Sequence, residues 1–107
     1  MTHPLPRDAR EVLESPLVQG TWESRAYEFD FTNCGVTAIE DRSVAVLVGG
    51  VDVTSTVISG SASVAGLVVT TPPLANLQAS TVYHLYARVI HDGGQKTELY
   101  ARILGRA

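Results

Sequence analysis

From Leu77 to Gly94 the chain reads LQASTVYHLYARVIHDGG, with a leucine six residues before a tyrosine and then apolar side chains at Tyr83, Leu85, Ala87 and Val89. Alternation with a period of two places those four side chains on one face of a β-strand and His84, Tyr86 and Arg88 on the other. A tyrosine at the head of such a strand, just after a leucine-anchored loop, fits the corner in which a phenol hydroxyl ties a crossing loop to the strand it leads into. A loop of that kind crosses between two layers. The segment therefore constrains the fold to a two-layer, all-β sandwich, and it specifies no chemistry.

The rest of the chain follows the same rhythm. Arg25–Thr32 sets Tyr27, Phe29 and Phe31 against Glu28 and Asp30, the pattern of a half-buried strand. Asn33-Cys34-Gly35 reads as a turn. Ser43–Val48 predicts a central strand, closed by Gly49-Gly50. Val51–Ser59, rich in Val, Thr and Ile, predicts a further strand or a pair of short ones. Gly60–Ser63 is a turn, and Val64–Thr71 is one more strand, stopped by Pro72-Pro73, which cannot donate to a ladder. Leu74–Ser80 is the corner loop; Thr81–His91 and Lys96–Leu104 form the last hairpin. The reading gives about seven strands at roughly 10-residue spacing, as in an antiparallel β-sandwich.

The hairpin register can be argued from the side chains. A two-residue turn on Gly93-Gly94 would set Leu85 opposite Arg102 and Val89 opposite Glu98, mixing core and charge on one face. A loop of odd length sets Val89 opposite Leu99, Ala87 opposite Ala101 and Leu85 opposite Ile103. A slip of one residue turns every side chain to the other face, so the apolar pattern selects the odd loop. On the outward face this register predicts Arg88 opposite Tyr100 and Tyr86 opposite Arg102, with His84 and Leu104 beyond. Arginine over tyrosine contributes roughly 0.5–1 kcal/mol at exposed sites. Such a face is either ordinary cross-strand stabilisation or a protein contact surface, where tyrosine and arginine concentrate.

The chain has 107 residues, 45% of them hydrophobic, which suits one domain. A domain of this size buries about two-thirds of its unfolded surface, enough for a core without a staple. The single cysteine, Cys34, cannot form an internal disulfide. A net charge of −3, one lysine and seven scattered arginines leave no basic stripe for nucleic acid. No apolar run reaches the roughly 18 residues of a membrane span, and the first residues lack the apolar stretch of a secretion signal. These features predict synthesis in a cytoplasm, with neither nucleic acid nor membrane as partner. Residues 1–20 carry Pro4, Pro6 and Pro16 among clustered charges and predict an extended N-terminal arm, with 21–107 as the sandwich domain. The arm is either a frayed end or a strap onto a neighbouring subunit.

Motifs of catalysis are missing: no nucleophile elbow, phosphate-cradling glycine loop or zinc-binding helix occurs in the sequence. His84 and His91 differ by an odd number and so point to opposite faces, which predicts structural roles for both; His3 lies in the arm. Glu28 and Asp30 share a strand face without a third ligand and read as solvated. Glu40-Asp41 and Asp92 read as loop acids, and Cys34 as a passive thiol. Trp22 is expected to pack in the core, with exposure for ligand stacking the alternative. The expectation is a non-enzymatic protein with no catalytic residues, no cofactor and no metal.

Leu77 with Thr81-x-Tyr83-x-Leu85 resembles the approach to the sixth strand of immunoglobulin-like and fibronectin III-like sandwiches. Across residues 11–104 the run ESPLVQGTWE (Glu14–Glu23), Tyr27-x-Phe29, DVTSTVISG (Asp52–Gly60), Thr70-Thr-Pro72 and the Leu77–Tyr83 corner resembles small Ig-like virion structural proteins of tailed phages and prophages, from the head–tail gene region. The resemblance implies a structural component of the neck, tail or capsid surface. It would be made in the host cytoplasm, reside in the virion, and act through contacts with its own copies and with other virion proteins. The expected contact residues are Leu5, Val12, Leu13 and Leu17 of the arm and Tyr86, Arg88, Tyr100 and Arg102 of the outer hairpin face. The alternative is a carbohydrate-binding or adhesive β-sandwich module on a phage or cell surface, holding a glycan with exposed aromatics beside loop acids.

Overall fold

A computed structural model describes the backbone of Arg10 and Glu11 and all of residues 17–107. The described residues are mostly β, with one turn of helix, and form two sheets. In order the elements are β1 (Arg10–Glu11), β2 (Leu17–Gly20), β3 (Glu28–Asp30), β4 (Ile39–Val48), β5 (Val51–Asp52), the single-turn helix α1 (Thr54–Val57), β6 (Ser63–Ala65), β7 (Val68–Thr70), β8 (Val82–His91) and β9 (Gln95–Arg106). The larger sheet runs β1–β9–β8–β4–β5, with β2 also on β9, and the smaller runs β3–β7–β6. Nine strand segments thus stand among the described residues where the sequence reading expects about seven.

The core lies between the sheets. Phe29 and Val69 enter it from the smaller sheet; Val46, Leu85, Ala87, Val89, Leu99, Ala101 and Ile103 enter it from the larger. All nine are buried, and Phe31, Leu74 and Leu77, from the connecting segments, are buried with them. Period-two alternation in β8 and β9 puts every odd-numbered side chain from Tyr83 to Val89 and from Leu99 to Ile103 inside.

The Tyr83 corner forms. Its ring is buried and its hydroxyl accepts a hydrogen bond from the Gln78 amide at 2.7 Å. Asn76 and Ser80, both at positive φ, turn the loop into that position. The loop then rides on Gly105. Ser80 donates to the Gly105 carbonyl and Gly105 donates to the Thr81 carbonyl, each at 2.9 Å. A Cβ on Gly105 would be driven into the Gln78 carbonyl oxygen.

Four expectations are corrected. First, the odd loop of the last hairpin is Asp92-Gly93-Gly94, all at positive φ, and it pairs His91 with Gln95. The inward set is as expected, but the register is displaced by two: Val89 opposes Thr97, Ala87 opposes Leu99 and Leu85 opposes Ala101. A slip of two preserves the buried face, so apolar pattern alone cannot detect it. Second, Val51–Ser59 is not all strand. Asp52 accepts from the Thr54 amide at 2.8 Å and from its hydroxyl at 2.6 Å, and the Thr54 oxygen in turn accepts from the Val46 amide at 2.8 Å, winding residues 54–57 into a helical turn. Third, Val64–Thr71 is not one strand but the two arms of a hairpin, since Gly66 at φ 62 reverses the chain and sets Ala65 against Val68. Fourth, the sandwich is not wholly antiparallel. β1 and β2 both run parallel to β9, with Arg10 beside Leu99 and Leu17 beside Ile103.

That last pairing also moves Leu17–Gly20 out of the arm and into the sheet. Gln19 is buried there. Its amide donates to the Leu74 carbonyl at 2.8 Å and to the Glu23 carbonyl at 3.0 Å, and its carbonyl accepts from the Tyr27 hydroxyl at 2.7 Å. A chain starting at Gly20 would lose all three bonds. The predicted arm contacts Leu5, Val12 and Leu13 lie outside the described residues.

Candidate functional site

The inward set of β8 and β9 leaves the even-numbered residues on the outer face of the larger sheet. β4 and β8 have ten residues each and β9 has twelve, and they lie side by side, so this face is the broadest surface built on regular backbone. Its rows follow from the ladder: Arg88 opposite Glu98, Tyr86 opposite Tyr100, His84 opposite Arg102, and Val82 opposite Leu104. The expected pairs Arg88–Tyr100 and Tyr86–Arg102 are therefore corrected by the same displacement of two residues that shifts the core register.

The side chains form a continuous stack. His84 and Tyr100 lie with ring centroids 6.0 Å apart, and Tyr100 and Tyr86 follow at 5.4 Å, each pair inclined by 29°. The Arg88 guanidinium carbon sits 5.4 Å from the Tyr86 ring centroid, so its cation–π partner is on its own strand rather than across the ladder. The same guanidinium makes an ion pair with Glu98. Of the predicted contact residues, Tyr86, Arg88 and Tyr100 are thus brought together, with Arg102 in the adjoining row. Leu17 is not with them; it is half-buried and packs against the core.

The two ends of the face differ. At the hairpin end a groove of about 480 Å³ is walled by Asp41, Ser43, Arg88, Ile90, Lys96 and Glu98. At the corner end, Val18, Leu104 and Val82 stand in one row across β2, β9 and β8, with 47%, 37% and 44% of their surface exposed. Trp22 extends that row. It is 96% exposed, which corrects the expectation of core packing. The turn after β2 (the Glu23 amide donates to the Gly20 carbonyl at 3.0 Å) carries the indole to the outer side, beside Val18, Glu23 and Arg106 in a hollow of about 390 Å³. Glu23 accepts from the Gly20 amide at 2.7 Å and from Arg25 at 2.9 Å, which hold its carboxyl below the usual range.

A second cluster has the outline of a catalytic relay. The Asp92 carboxylate lies 2.7 Å from His91 Nδ1, and the Thr97 hydroxyl lies 2.8 Å from Nε2. The Thr37 hydroxyl and amide, and then His91, hold the Asp92 carboxyl well below the ordinary aspartate range. The backbone amides that could stabilise an oxyanion are already engaged. Thr37 donates to Asp92 at 2.9 Å, Gly93 to Glu40 at 2.7 Å and Gly94 to the His91 carbonyl at 3.1 Å. The imidazole is 2% exposed. The cluster locks the hairpin loop onto the start of β4, where Glu40 and Asp41 prove to be strand residues beside a bulge rather than loop acids. Sequence could not reveal it, because Thr37 and Asp92 are far apart in the chain.

Among the described residues no group of three or more His, Cys, Asp or Glu side chains could hold a metal ion, and no helix is long and apolar enough to cross a membrane. Glu28 and Asp30 are exposed on the outer face of the smaller sheet. Cys34 is half-buried against the core. In comparisons with known proteins, no family model, no curated protein and no solved structure matches the chain.

Proposed function

We propose that this chain is a non-enzymatic structural component of a phage virion, an Ig-like or fibronectin III-like sandwich that works through protein–protein contacts in the neck, tail or capsid surface. The observation that carries the reading is the His84–Tyr100–Tyr86–Arg88 stack, a ladder of rings and a guanidinium on the broad outer face of the larger sheet. Rigid aromatics and arginine supply binding energy at small entropic cost. The Tyr83 corner and the two sheets support the Ig-like reading, and the motif run from Glu14 to Tyr83 supports the virion setting. Mass spectrometry of purified particles from a producing host is expected to find the chain at fixed stoichiometry. A Tyr86→Ala/Tyr100→Ala variant is expected to fold but to be lost from particles. Particles lacking the wild-type chain, or incorporating the variant normally, would overturn the reading.

The exposed Trp22 favours a second reading, a glycan-binding or adhesive module, because an indole beside Glu23 and Arg106 can stack on a sugar ring and meet its hydroxyls. Titration of Trp22 fluorescence with the hits of a glycan array tests it; silence of the wild-type chain across the array would remove this reading.

A further inference from the structure

The outer face of the larger sheet is sorted by charge from side to side. Near the hairpin turn Asp41, Ile90 and Lys96 form one row across β4, β8 and β9. Towards the corner, Asp52 of β5 stands at one end of the row that runs through Leu47 and His84 to Arg102. Asp41 and Asp52 thus lie on the β4–β5 margin, while Lys96 and Arg102 lie on β9. Between these rows Arg88 and Glu98 neutralise each other in an ion pair. The face also carries most of the large apolar side chains that stand exposed among the described residues: Val18, Val82, Ile90 and Leu104, with Trp22 at the corner end. Their concentration on one surface marks it as a contact site rather than a scatter of single exposed residues.

We infer that this face binds the same face of a second copy, the two sheets stacked about a two-fold axis that runs along β8. The inference rests on the assembly reading and names a partner for the same face. A two-fold along β8 turns the β9 margin of one copy over the β4–β5 margin of the other and keeps each row at its own level. Asp41 then meets Lys96 of the second copy and Asp52 meets Arg102, and symmetry makes each contact twice. A two-fold running across the strands would instead bring Asp41 towards Asp52 and Lys96 towards Arg102, so charge selects the first axis. Ile90 and Tyr86 fall on that axis, which puts apolar and aromatic surface at the centre and charge at the rim. Stacked sheets lie about 10 Å apart, within reach of lysine and arginine side chains. Strands of ten, ten and twelve residues, flanked by β2 and β5, give a footprint of roughly 600 Å² at about 3.3 Å per residue and about 4.8 Å per strand, close to the roughly 800 Å² per partner of a standard interface.

Sedimentation equilibrium of the full chain tests this. The wild type is expected to form a dimer that grows no further. Asp41→Lys and Lys96→Asp, each with an unchanged far-ultraviolet β spectrum, should each weaken that dimer by about tenfold or more, since like charges then face each other twice. The two single variants mixed in equal amounts should pair with one another. The double variant Asp41→Lys/Lys96→Asp should dimerise like wild type, because a lysine again faces an aspartate at both contacts. If a charge reversal fails to fold, its neutral counterpart (Asp41→Asn or Lys96→Gln) replaces it and should associate at least about threefold more weakly than wild type. A wild-type chain that stays monomeric, single variants that dimerise like wild type, or a double variant no tighter than the single ones would each overturn the inference. Particle incorporation is scored separately: a chain that enters virions yet stays monomeric in solution overturns the two-fold contact and leaves the assembly reading standing, whereas a dimer absent from virions overturns the assembly reading.

Discussion

The hairpin of β8 and β9 is tied to a crossing segment at both ends, but by different chemistry. At the corner end a buried phenol accepts one neutral bond from the Gln78 amide, and the loop is seated on a glycine with no room above it. At the turn end a carboxylate gathers the Thr37 amide and hydroxyl and the His91 imidazole, and the Gly93 amide binds Glu40. Steric fit and a phenol–amide bond fix the first end, while the Asp92 carboxylate, held below the usual aspartate range, fixes the second. Acid should therefore loosen the Asp92 tie and leave the Tyr83–Gln78 bond in place.

The largest effect is expected at the corner. Gly105→Ala pushes a methyl into the Gln78 carbonyl and should cost about 3 kcal/mol, the upper part of the overpacking range, read as a lowered denaturant midpoint. Tyr83→Phe leaves the Gln78 amide without its acceptor and should cost about 1–2 kcal/mol. That loss should be the same at neutral pH and at pH 3, since the bond it removes joins a phenol to a backbone amide. A corner variant whose deficit changes with acidification would break the comparison.

Asp92→Asn should have the smaller effect at neutral pH and the clearer pH signature. The folded-state carboxyl titrates below its unfolded value of about 3.9, so its contribution is present above roughly pH 4 and is lost as pH falls through the folded value. Thermal melts of wild type and variant should differ at pH 6 and converge as the pH is lowered past 4. Parallel curves over that range would show that the carboxylate does not govern the turn. Smallest of all, Tyr86→Ala on the outer face should change stability by no more than about 0.5–1 kcal/mol, the size of an exposed cross-strand pair. Urea titration checks this, and it separates the face's role in contact from its role in folding.

The same contrast describes what the sequence made legible. Tyr83, Leu85, Ala87 and Val89 announced a sheet, a face and a corner because burial acts on every second residue. The register within that face was missed by two, because parity is blind to such a slip; the decision lay with three residues accepting positive φ and with Arg88 meeting Glu98. Val51–Thr71 misled for the converse reason. Its β-branched residues favour strand, but Asp52 and Thr54 wind one turn of helix from side-chain bonds, and Gly66 folds the remainder back on itself. Trp22 misled because size argues for burial, while the turn after Gly20 decides which way the indole swings. Tyr86, Arg88 and Tyr100 could be placed on one face from sequence. Their true neighbours, and the Thr37–Asp92–His91–Thr97 cluster, depend on contacts between distant segments and carry no local signal.

The parallel docking of β2 on β9 has a consequence for how the molecule is made. The two strands are far apart in sequence, so β2 must wait for β9 to be made before its backbone is paired and Gln19 is enclosed. Loop closure over that separation is slow, and contacts of such long range set a low folding rate. The pair thus acts as a latch: until Ile103 has joined the fold, β2 has no partner and Gln19 is not enclosed.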